Sequence, residues 1–139
     1  MAEGLQVNDS VISVDLRGNY TGSAGGIALG KTLAVNRSIV GIDLRFLQFG
    51  PTGARALAEA LKVNTVVARL ALAWNYIEDE GAECLAEALR VNRTITDLDL
   101  GFNKVRKAGA WAIVEAIRVS RSVNRLILRG TWPFELRLA

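Results

Sequence analysis

The sequence predicts an α/β solenoid, wound right-handedly, with a parallel sheet on its concave side and helices on its convex side. Three observations carry that expectation. The chain repeats itself every 28 residues, each period opens with a strand-like apolar pattern, and each closes with a helical one. A shift of 28 aligns five segments without gaps: VISVDLRGN (11–19), IVGIDLRFL (39–47), VARLALAWN (67–75), ITDLDLGFN (95–103) and VNRLILRGT (123–131). One domain over residues 1–139 is expected, with a C-terminal tail at 132–139.

Within each nine-residue segment the first, fourth and sixth places are always aliphatic, as in Leu16, Leu44, Leu72, Leu100 and Leu128 at the sixth. Alternation at places four and six is the strand period of two, with one face turned inward. A turn follows, and then Gly25, Gly53, Gly81 and Gly109, where a Cβ would hinder either the backbone conformation or a close approach. Next come LGKTLAVN (29–36), LAEALKVN (57–64), LAEALRVN (85–92) and IVEAIRVS (113–120). Their apolar residues recur at helical spacing with Glu59 and Lys62 facing away, which reads as an amphipathic helix of strong helix formers. Asn36, Asn64 and Asn92 fall where each helix should stop, and asparagine tolerates a left-handed C-terminal position. One unit cannot cover its own apolar face. Stacking buries each against the next, and parallel strands a helix apart cross over right-handedly.

The unit resembles the ribonuclease-inhibitor type of leucine-rich repeat, LxxLxLxxNxIxxxGAxxLAxAL. Repeat three matches best, from Leu70 and Leu72 through Asn75, Ile77, Gly81, Ala82 and Leu85 to Leu89. The likeness spans residues 5–131 and extends to repeats in NOD-like receptors and the Ran GTPase-activating protein. It implies a leucine-rich-repeat solenoid, and that the asparagine after the strand, present as Asn19, Asn75 and Asn103, satisfies backbone groups of the turn. Leu47 and Thr131 stand at that place in repeats two and five, and Pro51 in the following turn suggests that connection runs differently. For function the resemblance is weak, because such repeats serve many unrelated partners.

Composition narrows the functional classes. Half the residues are apolar and 22% are charged, as in a globular protein, and there is no apolar run long enough to span a bilayer. The first residues lack the basic start and apolar stretch of a signal peptide, and Cys84 is the only cysteine, so an intracellular, cytoplasmic location is expected. With no histidine, the commonest general base and zinc ligand is missing. Cys84 sits alone in a helix and reads as a small packing residue. No catalytic residue, cofactor or metal is expected. Net charge is +3 but uneven: residues 1–102 carry 9 basic and 12 acidic side chains, whereas 103–139 carry 8 basic and 2 acidic. That basic end is either solvated or a docking surface for an anionic partner. It lacks a recognised nucleic-acid reading motif, so nucleic acid is not an expected partner.

The variable strand places carry the information about partners. Asp15, Asp43 and Asp99 recur at the fifth place, and Arg17 and Arg45 follow two places on, an alternating surface that partly neutralises itself. At the eighth place stand Gly18, Phe46, Trp74, Phe102 and Gly130. The three aromatics either pack beside the ladder asparagines or form a contact stripe flanked by Arg45, Arg69 and Asp97, with Arg125 and Arg129 adding basic contacts further on. Ala71 and Ala73 keep the floor low beside Trp74. Trp111 occupies a helix place whose counterparts are Ile27, Arg55 and Glu83; it packs on a neighbouring helix or makes a convex-side contact. No polar cap precedes Leu5, Val7 and Asn8, and no fifth helix follows the fifth strand, though Trp132, Phe134 and Leu136 offer a makeshift lid. The expected function is a non-catalytic scaffold for protein partners, held on the concave face and at uncapped ends, as a fragment or subunit of something larger. A GTPase-activating or other enzyme-regulating role is the alternative, suggested by the resemblance.

Overall fold

The computed structural model describes residues 1–130 together with the strand residues 137 and 138. Helices and strands alternate along the chain: α1 (Ala2–Val7), β1 (Ser13–Asp15), α2 (Gly22–Val35), β2 (Gly41–Asp43), α3 (Gly50–Leu61), β3 (Arg69–Ala71), α4 (Glu78–Val91), β4 (Asp97–Asp99), α5 (Lys107–Ser120), β5 (Arg125–Ile127) and β6 (Arg137–Leu138). Strands β1 to β5 pair in parallel, each with the next, in a register of one whole repeat: Val14, Ile42, Leu70, Leu98 and Leu126 stand opposite one another. The ladder proper thus takes only three residues of each nine-residue segment.

The sheet is not purely parallel, as the sequence had implied. β6 runs antiparallel along β5, with Leu138 opposite Leu126 and Arg137 opposite Ile127. The C-terminal edge is therefore covered at that point rather than bare. Trp132, Phe134 and Leu136, the suggested lid, lie outside the described residues, as does Thr131.

The core forms between sheet and helices as the periodicity requires. Leu44, Leu72, Leu100 and Leu128 at place six are fully buried, and they meet Leu33, Leu57, Leu85 and Ile113 from the helices. Each such side chain contributes on the order of 2 kcal/mol by leaving water. The repeated glycines answer to packing rather than to backbone conformation. A Cβ on Gly81 would stand 2.6 Å from Ile77 Cγ2 and 2.9 Å from Ala54 Cβ, so α4 approaches α3 only without one.

Two asparagine spines link the repeats, and both buried sets sit where ladder bonds end. After the strands, Asn75 donates from Nδ2 to the Leu44 and Leu72 carbonyls and accepts from the Leu47 amide at Oδ1. Asn103 repeats this one unit on, toward Leu72, Leu100 and the Asn75 amide. Leu47 at the equivalent place is simply buried. After the helices, Asn64 donates to the Leu33 carbonyl and accepts from the Val66 and Val67 amides, each at 2.8 Å. Asn36 and Asn92 do the same in their repeats.

This second spine corrects the reading of those asparagines as left-handed caps. Asn36 and Asn92 have φ of −67° and −70° with ψ near 140°, which is extended backbone. Their side chains, reaching the preceding repeat, are what the place demands. The fourth repeat shows the consequence: Ser120 has a shorter side chain, its Oγ bonds among the described residues only locally to Ser122, and the helix ends instead on a left-handed Arg121 at φ 58°.

Pro51 also falls differently from expectation. α3 begins at Gly50, one repeat after Gly22 opens α2, so the connection keeps its length and course. The proline lies in the first helical turn, where its missing amide hydrogen has no intrahelical partner to lose.

Candidate functional site

At place eight the backbone must do two things at once. Its amide still belongs to the ladder, as Trp74 N–H donates to the Gly101 carbonyl at 3.0 Å and Gly18 N–H to Arg45 at 3.0 Å. Its φ already belongs to the turn: +75° at Gly18, +59° at Phe46, +61° at Trp74, +54° at Phe102 and +71° at Gly130. This left-handed conformation suits glycine, and repeats one and five supply it. Repeats two to four place large aromatics there, each at a strain of about 1 kcal/mol.

The rings stack on one another. Phe46 and Trp74 lie 5.7 Å apart and Trp74 and Phe102 4.4 Å apart, centroid to centroid, both pairs within 13° of parallel. The next place along is necessarily small, because a Cβ on Gly130 would stand 2.5 Å from the Phe102 ring. The stack remains open to solvent: Phe46 and Phe102 are 41% exposed and Trp74 is 46%. Of the two readings of this stripe, packing into the turn is thus at best partial.

The concave face beside the stripe divides into two halves of different electrostatic character. In repeats one and two the charges are matched within the chain. Arg17 grips Asp15 with its Nε and Nη2, and Arg45 grips Asp43 likewise, the closest contacts being 2.7 Å. Arg17 also reaches Asp43 at 3.4 Å. Hydrogen bonds from the Arg17 side chain and amide hold the Asp15 carboxyl below the usual carboxylate range. The bond to Asp43 likewise raises Arg45 above the ordinary arginine value.

In repeats three to five, no ion pair joins Arg69, Asp97, Asp99, Arg125 or Arg129 to any described residue. Arg69, Asp97 and Arg125 stand on adjacent strands in register. The Arg69 guanidinium lies over Gly41 instead, its Nη2 3.1 Å from where a Cβ would be. Asp97 takes a hydrogen bond from Thr96 and Asp99 one from the Gly101 amide.

The sequence-derived candidates therefore gather into two adjoining concavities. Arg45, Arg69, Asp97 and Arg125 line a groove of about 430 Å3 with Asp43 and Asp99. Arg45, Phe46, Trp74, Phe102 and Arg129 line a smaller one of about 100 Å3 with Ala73 and Asp99. Trp111 does not join them. It stands on α5, 65% exposed and without a ring partner among the described residues, so of its two readings packing on a neighbouring helix is not the one seen there.

Two exposed features beside the stripe escaped the sequence reading. Tyr76 is 44% exposed and carries Lys104 Nζ 4.7 Å from its ring centre. Tyr20 holds the same place in repeat one, so the 28-residue period itself was the available signal. Among the described residues, no group of three or more Cys, Asp or Glu side chains converges as metal ligands would, and no helix is long and apolar enough to cross a membrane.

Comparisons with known proteins bear on the fold. A family model described as a leucine-rich repeat matches residues 63–86 and 91–114. Against the curated proteins, no sequence matches. Among solved structures, the leiomodin-1 actin-binding site 2 superposes with a TM-score of 0.85 at 20% identity, covering 97% of this chain and 78% of that one. The tropomodulin C-terminal domain from Caenorhabditis elegans gives a TM-score of 0.81 at 15% identity, covering 91% and 79%. With the repeat register and its asparagine spines, these likenesses show that the chain has the leucine-rich-repeat fold.

Proposed function

We propose that the chain is a non-catalytic, intracellular scaffold that binds a protein partner through the concave face and its aromatic rim, as a component of a larger assembly. The observation that carries this reading is the row Phe46, Trp74 and Phe102. Three bulky side chains occupy a left-handed backbone place that the flanking repeats give to glycine, and each keeps about two-fifths of its surface in water. Strain of about 1 kcal/mol per residue with incomplete burial makes poor sense for stability alone. It makes good sense for contact, because aromatic and arginine side chains dominate binding hot spots. Arg45 and Arg129 flank the rings.

The structural neighbours support the class of function without specifying a partner. The leiomodin-1 domain is named as an actin-binding site, which makes actin the first protein to assay. The test compares capture by the wild-type chain with capture by Trp74→Ala and Phe102→Ala. Each substitution is expected to weaken the interaction by about 2 kcal/mol or more while circular dichroism stays unchanged. Undiminished capture by both variants would place the interface elsewhere.

A further inference from the structure

We infer that repeats three to five receive an α-helical segment of the partner whose groove-facing side chains read acid, base, acid at intervals of one helical turn. The inference rests on the interaction reading above and adds the chemistry of what binds.

Charge supplies the pattern. Repeats one and two have neutralised their own charges in bidentate Asp15–Arg17 and Asp43–Arg45 pairs, so they add no charge pattern of their own for a partner to match. Repeats three, four and five present Arg69, then Asp97 with Asp99, then Arg125 with Arg129, and none of these is ion-paired to a described residue. Arg69, Asp97 and Arg125 are adjacent in register, yet among the described residues none of them is joined to another by an ion pair. A complementary ligand carries an acid over repeat three, a base over repeat four and an acid over repeat five.

Spacing supplies the conformation. The three rim rings span about 10 Å over two repeats. Two helical turns advance about 10.8 Å. Same-face residues of an extended peptide advance about 13.5 Å over two steps, and lose register after one or two contacts. Room supplies the third argument. The five residue steps from place three to place eight span at most about 16 Å when extended. Between Arg69 and Trp74 the floor carries only Ala71 and Ala73, and next to Ala73 stands Gly101. A helix about 10–12 Å across with its side chains fits over that floor, its apolar face toward Trp74 and Phe102 and its charged row toward Arg69, Asp97 and Arg125.

The experiment is a selection from a display library of scaffolded helical peptides of about four turns, panned on the purified chain. Enriched sequences are expected to carry Asp/Glu, Lys/Arg and Asp/Glu three or four residues apart. Arg69→Glu should then weaken the best peptide about tenfold, and replacing the facing acid of that peptide by lysine should restore it. Arg17→Glu serves as the control, with little change expected. Enrichment without the charge pattern, no enrichment, or failure of the charge swap to restore binding overturns the inference. Binding lost in Trp74→Ala but indifferent to Arg69→Glu would overturn it while leaving the rim reading intact. The opposite result would overturn the rim reading and keep the charge register.

Discussion

Trp74 allows stability and binding to be separated by two substitutions at one position. Its φ of +61° lies in the region where a Cβ crowds the backbone, and its ring stacks on Phe46 and Phe102. Trp74→Ala removes both stacks, worth about 0.5–1.5 kcal/mol each, and keeps the strained β-carbon. Trp74→Gly removes the same stacks and also the strain, which costs about 1 kcal/mol or more for any residue with a Cβ. Glycine has a more flexible unfolded chain, and that offsets part of the gain. The glycine variant should nevertheless be the more stable by about 1 kcal/mol, although at most positions alanine wins. Urea unfolding of the three proteins, followed by far-ultraviolet circular dichroism, gives the two differences from midpoint shifts at constant slope. Both variants should be equally poor at partner capture. If alanine proves as stable as glycine, place eight is not strained, and the argument that its aromatics are kept for contact collapses.

Two further outcomes follow from the geometry. Asn64→Ala leaves the Leu33 carbonyl and the Val66 and Val67 amides without their partner and should cost on the order of 3 kcal/mol; denaturant midpoints measure it, and a loss under about 1 kcal/mol would mean that water replaces the side chain. Asp15 should titrate below its ordinary value near 3.8, so its contribution to stability is present above that value and fades as pH falls through the folded-state pKa. Because Arg17 supplies the leading cause of that shift, Arg17→Gln should move the Asp15 titration upward in carboxyl-carbon NMR; an unmoved curve would count against the bidentate pair.

How much of this was legible depends on whether the determining interaction is local. Places four and six, with Leu70 and Leu72, announce strand and core because the period of two is a property of one segment. The asparagines at the helix ends were visible as a pattern but not as a mechanism. Their bonds run from Asn64 to Leu33 and from Asn92 to Leu61, each 31 residues back, which no local rule for helix termination contains. The left-handed place was also written in the sequence, as Gly18 and Gly130. Its meaning was masked because Phe46, Trp74 and Phe102 occupy the same place without the residue type that normally marks it. Strand β6 lay beyond reach altogether, since two residues outside the period carry no alternation to read.

The excess of basic residues after position 102 also looks different once placed on the fold. It is not one patch. Arg125 and Arg129 line the concave side, Lys104 lies over Tyr76, and Arg118 pairs with Glu115 at 2.9 Å. Arg106 and Lys107 stand at the start of α5, where positive charge opposes the helix dipole. The preceding repeat compensates them. Asp79, from the acidic first turn of α4, accepts the Arg106 amide at 2.7 Å and the Gly109 amide at 3.0 Å, capping α5 from the neighbouring unit. One acidic turn therefore serves two helices, and the helix of the fourth repeat depends on the third for its start while Ser120 denies it the usual asparagine at its end. Stability passes along the stack by such borrowed contacts. They satisfy backbone and helix ends inside the solenoid, and the proposed contact would draw on side chains outside these bonds: the rim aromatics and the charges of repeats three to five that no described residue ion-pairs.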